Sequence, residues 1–475
     1  MPGMRPTTAL PEPSSEALAA SAELSGRIAA RIAAAGGWMG FDAYMAMALY
    51  EPGLGYYAGG SRKFGAAGDF VTAPELSDLF GACLARQCAF WFEGCARRVV
   101  EFGAGSGALA AQLLRGFDQL GLGDVEYLIV ELSGELAARQ RARLARECPQ
   151  ALERVRWLDT WPQAIDGVVI ANELLDAMPV RAFAVEPASD GAAARVFERG
   201  VARRPTSGAH HAAGHAVGSA TGGAPDHARD AVPGFDWALR PADARFARIV
   251  LERLAEGSGI DDPRALAYAA EIGEQAQAWA TQAARCLARG ALLLIDYGFA
   301  RPAYYHAQRS GGTLMCHYRH RAHGDPFLLP GLQDITAHVD FTAIAQAGVD
   351  EGLEVLGFVS QARMLLDLGL LDDLAAHAGR GDATAWARQA QAVQRLLSEA
   401  EMGELFKALA LGRGLSAAGP GFAHGDRPLA LRKKVARATN RADADRGLAA
   451  GGQGAPGAAA GAPGTSGQAA FRAGR

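Results

Sequence analysis

Two clusters of side chains in this chain have the types and spacing to do chemistry. The first is Glu101-Phe102-Gly103-Ala104-Gly105-Ser106-Gly107, in which three alternating glycines follow a carboxylate. Glycines at that spacing permit a sharp turn and let a ligand approach bare backbone, which a Cβ would block. Glu131, 24 residues beyond Gly107, is well spaced to bind ribose hydroxyls, and Asp159 is a third acid. Gly103-x-Gly105 with Ala108 also satisfies a loose dinucleotide pattern, so nicotinamide or flavin is a rival ligand. A pyrophosphate seeks N–H donors and is repelled by neighbouring acids. Glu101, Glu131 and Asp159 therefore suit a cationic nucleoside such as S-adenosylmethionine better than a dianionic bridge. The second cluster is Asn172-Glu173-Leu174-Leu175-Asp176-Ala177-Met178-Pro179, with two carboxylates three residues apart beside an amide.

The elements that must position these clusters alternate. A β-branched run through Val99 and Val100 feeds the glycine turn, and apolar residues from Ala108 to Leu114 recur at helical spacing. Further strands are predicted at Val125–Val130, Val155–Asp159, Gly167–Ala171 and Gly290–Gly298, with helices at Leu136–Glu147 and Tyr268–Arg289. This alternation predicts an α/β fold with a doubly wound sheet. Asn172, Glu173 and Asp176 then sit at the carboxyl end of the fourth strand, where such sheets do their chemistry. Trp157 or Leu158 could pack on an adenine ring with Asp159 reaching its amino group; plain core packing is the alternative.

Residues 1–20 are rich in Pro, Ser and Ala and are expected to be disordered. Residues 21–95 hold helices at Ser21–Ala34 and Phe41–Leu49 and a polar, aromatic loop from Glu51 to Ser77 that reads as functional. Thr72 or Ser77 is placed to cap the next helix, which runs to Phe92. The main domain is expected over 96–411, with an insertion at about 182–240. Within the insertion, Val180–Val185 and Ala194–Phe197 could form a hairpin, and 208–230 is a Gly/Ala/His/Ser tract. Polar loops at 311–318 and 334–341, a helix at Phe341–Ala347, a strand pair near 353–366 and helices to Leu411 close the domain. The Gly/Ala/Arg-rich segment 412–475 is expected to be disordered.

The 475 residues are 49% hydrophobic and 21% charged, a globular balance, and the net charge of −4 gives no reason to expect nucleic acid or an anionic membrane. No apolar run reaches membrane-spanning length. The Ala-rich segment 21–35, with Arg27 and Arg31, imitates a mitochondrial presequence, but Glu16 and Glu23 argue for a cytoplasmic protein. Six cysteines without a C-x-x-C pair read as reduced thiols. Cys316, His317, His320 and His323 lack regular ligand spacing, so no metal site is expected.

In combination, Arg62-Lys63-Phe64-Gly65-Ala66-Ala67-Gly68-Asp69-Phe70, the glycine turn, Asn172–Pro179, Asp296-Tyr297-Gly298 and Gln333-Asp334-Ile335-Thr336-Ala337-His338-Val339-Asp340 resemble the MidA-like class I methyltransferases. The resemblance covers roughly residues 35–411; the histidine-containing insertion after Thr206 and the segment after Leu411 depart from it. It implies a Rossmann-like methyltransferase fold with an N-terminal helical region and inserted substrate-binding elements. It also implies S-adenosylmethionine as cofactor and protein arginine N-methylation as activity, since the family includes a mitochondrial arginine methyltransferase required for complex I assembly. On that resemblance Gly103, Gly105 and Gly107 line the cofactor's amino-acid end, with Glu101 just before them. Glu131 binds its ribose, Leu158 and Asp159 lie near adenine, and Asn172 faces the methionine moiety or the substrate. The implied partners are a protein substrate, a complex I subunit among the candidates, and a second copy of the chain. The implied location is the cytoplasm of a bacterium or the mitochondrial matrix of a eukaryote.

Methylating a guanidinium requires carboxylates that hold its fork and take up the released proton. Glu173 and Asp176 are the leading pair, with Glu75 and Glu271 in reserve. Three rivals remain: a non-catalytic assembly factor on the same fold, a small-molecule methyltransferase, and a nicotinamide-dependent oxidoreductase. Binding of S-adenosylmethionine against NADH separates the last from the others.

Overall fold

The computed structural model describes residues 10–59, 71–187, 194–205, 233–378, 383–429 and 431. The expectations for 62–70, for the 208–230 tract and for the far C-terminal segment lie outside these residues.

Seven strands build the central sheet: β1 (Arg98–Phe102), β2 (Glu126–Val130), β3 (Val155–Leu158), β4 (Ile165–Asn172), β5 (Leu287–Phe299), β6 (Glu354–Ser360) and β7 (Phe406–Arg413). Their spatial order is β6-β7-β5-β4-β1-β2-β3. All neighbours from β3 to β5 are parallel, whereas β7 runs antiparallel to both β5 and β6. Sequence order reverses between β4 and β1, so a crevice opens beyond the carboxyl ends of those two strands. Val339–Asp340 adds a short parallel pairing to the end of β5.

The N-terminal region supplies α1 (Ser15–Ala34), α2 (Phe41–Tyr50), the single turn α3 (Ala73–Leu76) and α4 (Asp78–Trp91). Helices α5 (Ala108–Gln119) and α6 (Gly134–Glu147) follow β1 and β2. Ser77 caps α4, its hydroxyl accepting from Leu79 N at 3.2 Å. One sheet face packs on α4 and α5 through Leu84, Leu113 and Phe117, the other on Glu274–Cys286 and Phe341–Asp350 through Ala280 and Ile344. Beside this core, Met39–Gly40, Arg195–Arg203, Arg181–Glu186 and Tyr268–Ile272 form an antiparallel sheet, with Phe235–Pro241 on Arg195–Arg203. Met315–Tyr318, Arg321–His323 and Asp334–Thr336 form a third sheet, so the two late polar loops contain short strands.

Four expectations differ from the structure. Helix α1 begins at Ser15, inside the stretch expected to be disordered, because Ser14 caps it by accepting from Ala17 N at 3.2 Å. The helix expected from Tyr268 is a strand to Ile272 and a helix from Glu274; pairing with Arg181–Val185 overrides the local preference of an Ala-rich run. The strand pair expected near 353–366 is one strand, β6, followed by the helix Gln361–Asp367. The last strand β7 takes the place of an expected helix and continues past Leu411, and the chain beyond it stays packed. Phe422 stacks on Trp91 at 6.3 Å, Gly421 N donates to Gln87 at 2.8 Å, and Arg427 pairs with Glu404 at 2.7 Å.

Residues after Leu411 thus complete the core. Phe422→Ala should cost roughly 3 kcal/mol of unfolding free energy, read from the denaturant midpoint; a change under about 0.5 kcal/mol would place that segment outside the core.

Candidate active site

The glycine turn begins where β1 ends. Gly103, Gly105 and Gly107 have φ of 71°, 52° and 80°, the left-handed region that side chains disfavour. A Cβ on Gly103 would come within 2.9 Å of Leu174, so the turn and the loop after β4 touch. Gly107 caps α5 without a side-chain bond, so the helix N-terminus faces the crevice through backbone.

Glu101 is 2% exposed and accepts from the Tyr127 hydroxyl at 2.7 Å. Burial pushes its carboxyl up to about 7. Glu131 at the end of β2 accepts from Ser133 N at 2.9 Å and Gln140 Nε2 at 3.0 Å, and burial raises it too. Gln140 was not legible as a site residue, yet its amide also donates to Gly105 O at 3.1 Å and accepts from Trp157 Nε1 at 2.9 Å. It binds β2, β3 and the turn into one frame. Trp157 is tied to Gln140 and carries Arg141 on its ring at 4.4 Å, while Leu158 packs against the apolar core of the other sheet face. Leu158 is partly buried and Asp159 is exposed just beyond it. Left-handed glycines and a carboxylate at the end of β2 fit a nucleoside bearing a cationic sulfonium; among the described residues the cation at the turn, Arg143 on Ser106 at 2.8 Å, is already paired with Glu75.

The second cluster starts at Asn172, the last residue of β4. Glu173 has φ 51°, a conformation rare for a side-chain-bearing residue, and its N–H donates to Ile295 O at 2.8 Å. Its Oε1 accepts from Ala73 N and Asn172 Nδ2, both at 3.1 Å. Burial, with Asp176 nearby, pushes Glu173 up to about 8. Asp176 is 6% exposed and is pushed up to about 6 by burial, against a hydrogen bond from Tyr297. Two acceptors here, Asn172 Oδ1 and Asp176 Oδ1, are buried without a hydrogen-bond partner among the described residues.

Asp296, at the end of β5, holds the loop. Its Oδ2 accepts from Leu175 N at 2.9 Å and Asp176 N at 3.3 Å, and its Oδ1 from Tyr297 N at 2.9 Å. Burial and the adjacent Asp176 and Glu173 hold its carboxyl well above the usual range. Among the described residues, no basic side chain contributes to the electrostatics of Glu173, Asp176 or Asp296. His338 packs its ring on Tyr297 at 5.2 Å, and burial lowers it to about 4, so it is neutral at pH 7.

The structure brings Asn172, Glu173 and Asp176 together and sets the two reserve acids apart. Glu75 on α3 accepts from Ser106 Oγ and pairs with Arg143 at 2.5 Å, bracing the glycine turn. Glu271 lies buried in its strand and accepts from Thr313 N at 2.9 Å and Thr313 Oγ1 at 3.1 Å. Asp296 and His338 stand in motifs visible in the sequence, but nothing in their spacing links them to Asp176. Tyr50 and Tyr57 also border this loop; Tyr57 belongs to the aromatic stretch that the sequence marks as functional, whereas Tyr50, at the end of α2, carried no sequence signal. Cys316 lies buried in the apolar core, and among the described residues no group of three His, Cys, Asp or Glu is placed to hold a metal.

Comparison with known proteins identifies the family. Residues 83–359 match a family model described as "Putative S-adenosyl-L-methionine-dependent methyltransferase". A Burkholderia thailandensis methyltransferase-like protein, solved with S-adenosyl-homocysteine bound, is 48% identical with a TM-score of 0.76, covering 88% of this chain and 99% of its own. A native structure from the same organism is 47% identical with a TM-score of 0.74, over 88% of this chain and 99% of that one. The mitochondrial protein arginine methyltransferase NDUFAF7 of Danio rerio is 26% identical over 392 residues, 77% of this chain and 81% of the relative. The chain therefore belongs to the MidA-like family of S-adenosylmethionine-dependent methyltransferases and is an enzyme of that class.

Proposed function

We propose that this methyltransferase acts on arginine side chains of a protein. The observation that carries the reading is the buried Glu173 and Asp176 pair, which lacks a basic partner among the described residues and abuts the glycine turn through Leu174. Buried carboxylates raised in this way are stabilised by a cation delivered from outside. The arginine methyltransferase name of relatives at 26% identity supports the same substrate class.

S-adenosylmethionine supplies a methyl group carried on a sulfonium. Gly103, Gly105 and Gly107 are proposed to receive its amino-acid end beside Glu101, Glu131 its ribose, and Leu158 and Asp159 its adenine. Glu173 and Asp176 accept N–H bonds from the substrate guanidinium and fix its plane, while Asn172 Oδ1, itself unpaired among the described residues, orients the reacting nitrogen. A methylated guanidinium nitrogen must lose one proton, and Asp176 is proposed to take it. We assign the protein to a bacterial cytoplasm, since it is 48% identical to a bacterial protein and 26% to a mitochondrial one, with a respiratory complex I subunit as the first target to test.

Incubating the protein with tritiated S-adenosylmethionine and bacterial extract should label a protein whose acid hydrolysate contains methylarginine; label confined to other residues or small molecules rejects the reading. Glu173→Gln should bind cofactor normally and lose at least about 100-fold in turnover. Gly105→Val, at φ 52°, should abolish calorimetric binding of S-adenosylmethionine while far-ultraviolet circular dichroism is unchanged. Glu173 and Asp176 are raised to about 8 and about 6, so they are neutral in acid and ionised above those values. The kcat/KM of the methylation should accordingly rise from pH 6 to pH 8, and Glu173→Gln should flatten the upper part of that rise.

A further inference from the structure

We infer that the ring of the exposed residue Tyr50 is the platform on which the acceptor's planar cation stacks, so that this residue selects guanidinium over ammonium. The inference rests on the arginine reading above and adds a recognition residue outside the methyltransferase fold itself.

Tyr50 is the last residue of α2 and is 42% exposed as a residue, although its hydroxyl is held, donating to Ala177 O at 2.9 Å. Ala177 directly follows Asp176, so the ring is pinned beside the carboxylate whose Oδ1 lacks a partner among the described residues. Tyr57 stacks on Tyr50 with centroids 5.5 Å apart and planes 20° apart. Tyr57 is fixed in turn by its hydroxyl on Asp334 Oδ1 at 3.0 Å and its N–H on Leu49 O at 2.7 Å. Tyr57 thus stacks on one side of Tyr50, while Tyr50 as a residue keeps substantial exposure. Asp176 and Asp334 both act electrostatically on the Tyr50 hydroxyl, which places the ring at the border of the acid cluster.

A large aromatic ring held by its hydroxyl on an exposed residue, next to buried acids, matches the two surfaces of a guanidinium. The flat face of that group stacks on an aromatic ring, and its edge donates to carboxylates. A lysine ammonium has no flat face and gains less from such a wall. The acid pair alone binds either cation; the ring adds the choice between them.

The test uses the full chain saturated with S-adenosylhomocysteine, titrated with acetyl-Gly-Arg-Gly-amide and with its lysine counterpart. The wild type should bind the arginine peptide about tenfold more tightly. Tyr50→Leu should lose that factor for arginine and change little for lysine, whereas Tyr50→Trp, which keeps a broad ring, should retain it. Unchanged affinity for S-adenosylhomocysteine certifies the fold of each variant. If Tyr50→Leu binds the arginine peptide like wild type, or Tyr50→Trp loses as much as Tyr50→Leu, the platform is refuted. A wild type that binds both peptides equally also refutes the platform, whereas a wild type that binds neither peptide overturns the substrate reading beneath it.

Discussion

The site depends on one carboxylate that makes no claim on a substrate. Asp296 accepts three backbone N–H bonds, two from the loop after β4 and one from its own strand, and so draws that loop across the end of β5. Without this tie the loop would have no reason to keep Glu173 in the left-handed region. That conformation costs of order 1–3 kcal/mol and persists only where surroundings over-determine it. Here Ile295 O, Ala73 N and Asn172 Nδ2 supply the remaining constraints on Glu173. The burial that raises Glu173 and Asp176 is thus imposed by the fold, and the proposed affinity for a guanidinium rests on it.

The single turn α3 is the second organising element, because it meets both halves of the site. Through Glu75 it braces Ser106 of the glycine turn and Arg143 of α6, and through Ala73 N it holds the Glu173 carboxylate. Gln112 of α5 completes the attachment by donating to Pro74 O at 2.6 Å. The glycine turn and Glu173 therefore share one short support. Any shift of that support changes both, and linkage requires the influence to run equally in each direction.

Much of this was legible in the chain. The glycine turn, the acid at the end of β2 and the cluster after β4 depend on local order, and their residue types announced them. Tyr50, Tyr57, Gln140 and Asp296 did not announce their contacts, because their partners lie as far as 277 residues away for Tyr57. Two of the secondary-structure misreadings share a cause. Tyr268–Ile272 and Phe406–Arg413 are rich in alanine or leucine, which favour helix in isolation, and only their neighbours in the sheets make them strands. Glu75 and Glu271 were plausible as acids near the chemistry, but sequence gives no view of the Arg143 and Thr313 bonds that occupy them.

The place of β7 has a consequence for how the molecule comes into being. This strand, the last of the sheet in the chain, lies between β5 and β6 rather than at an edge. Leu292 of β5 faces Leu411, more than a hundred residues later, and Val355 of β6 faces the same residue. During synthesis β5 and β6 leave the ribosome with the position between them empty, each showing an apolar strand edge. The sheet closes only after residue 413 has emerged. Until then the nascent chain carries unpaired edges of the kind that favour aggregation, so folding of the enzyme is a late event in its own translation.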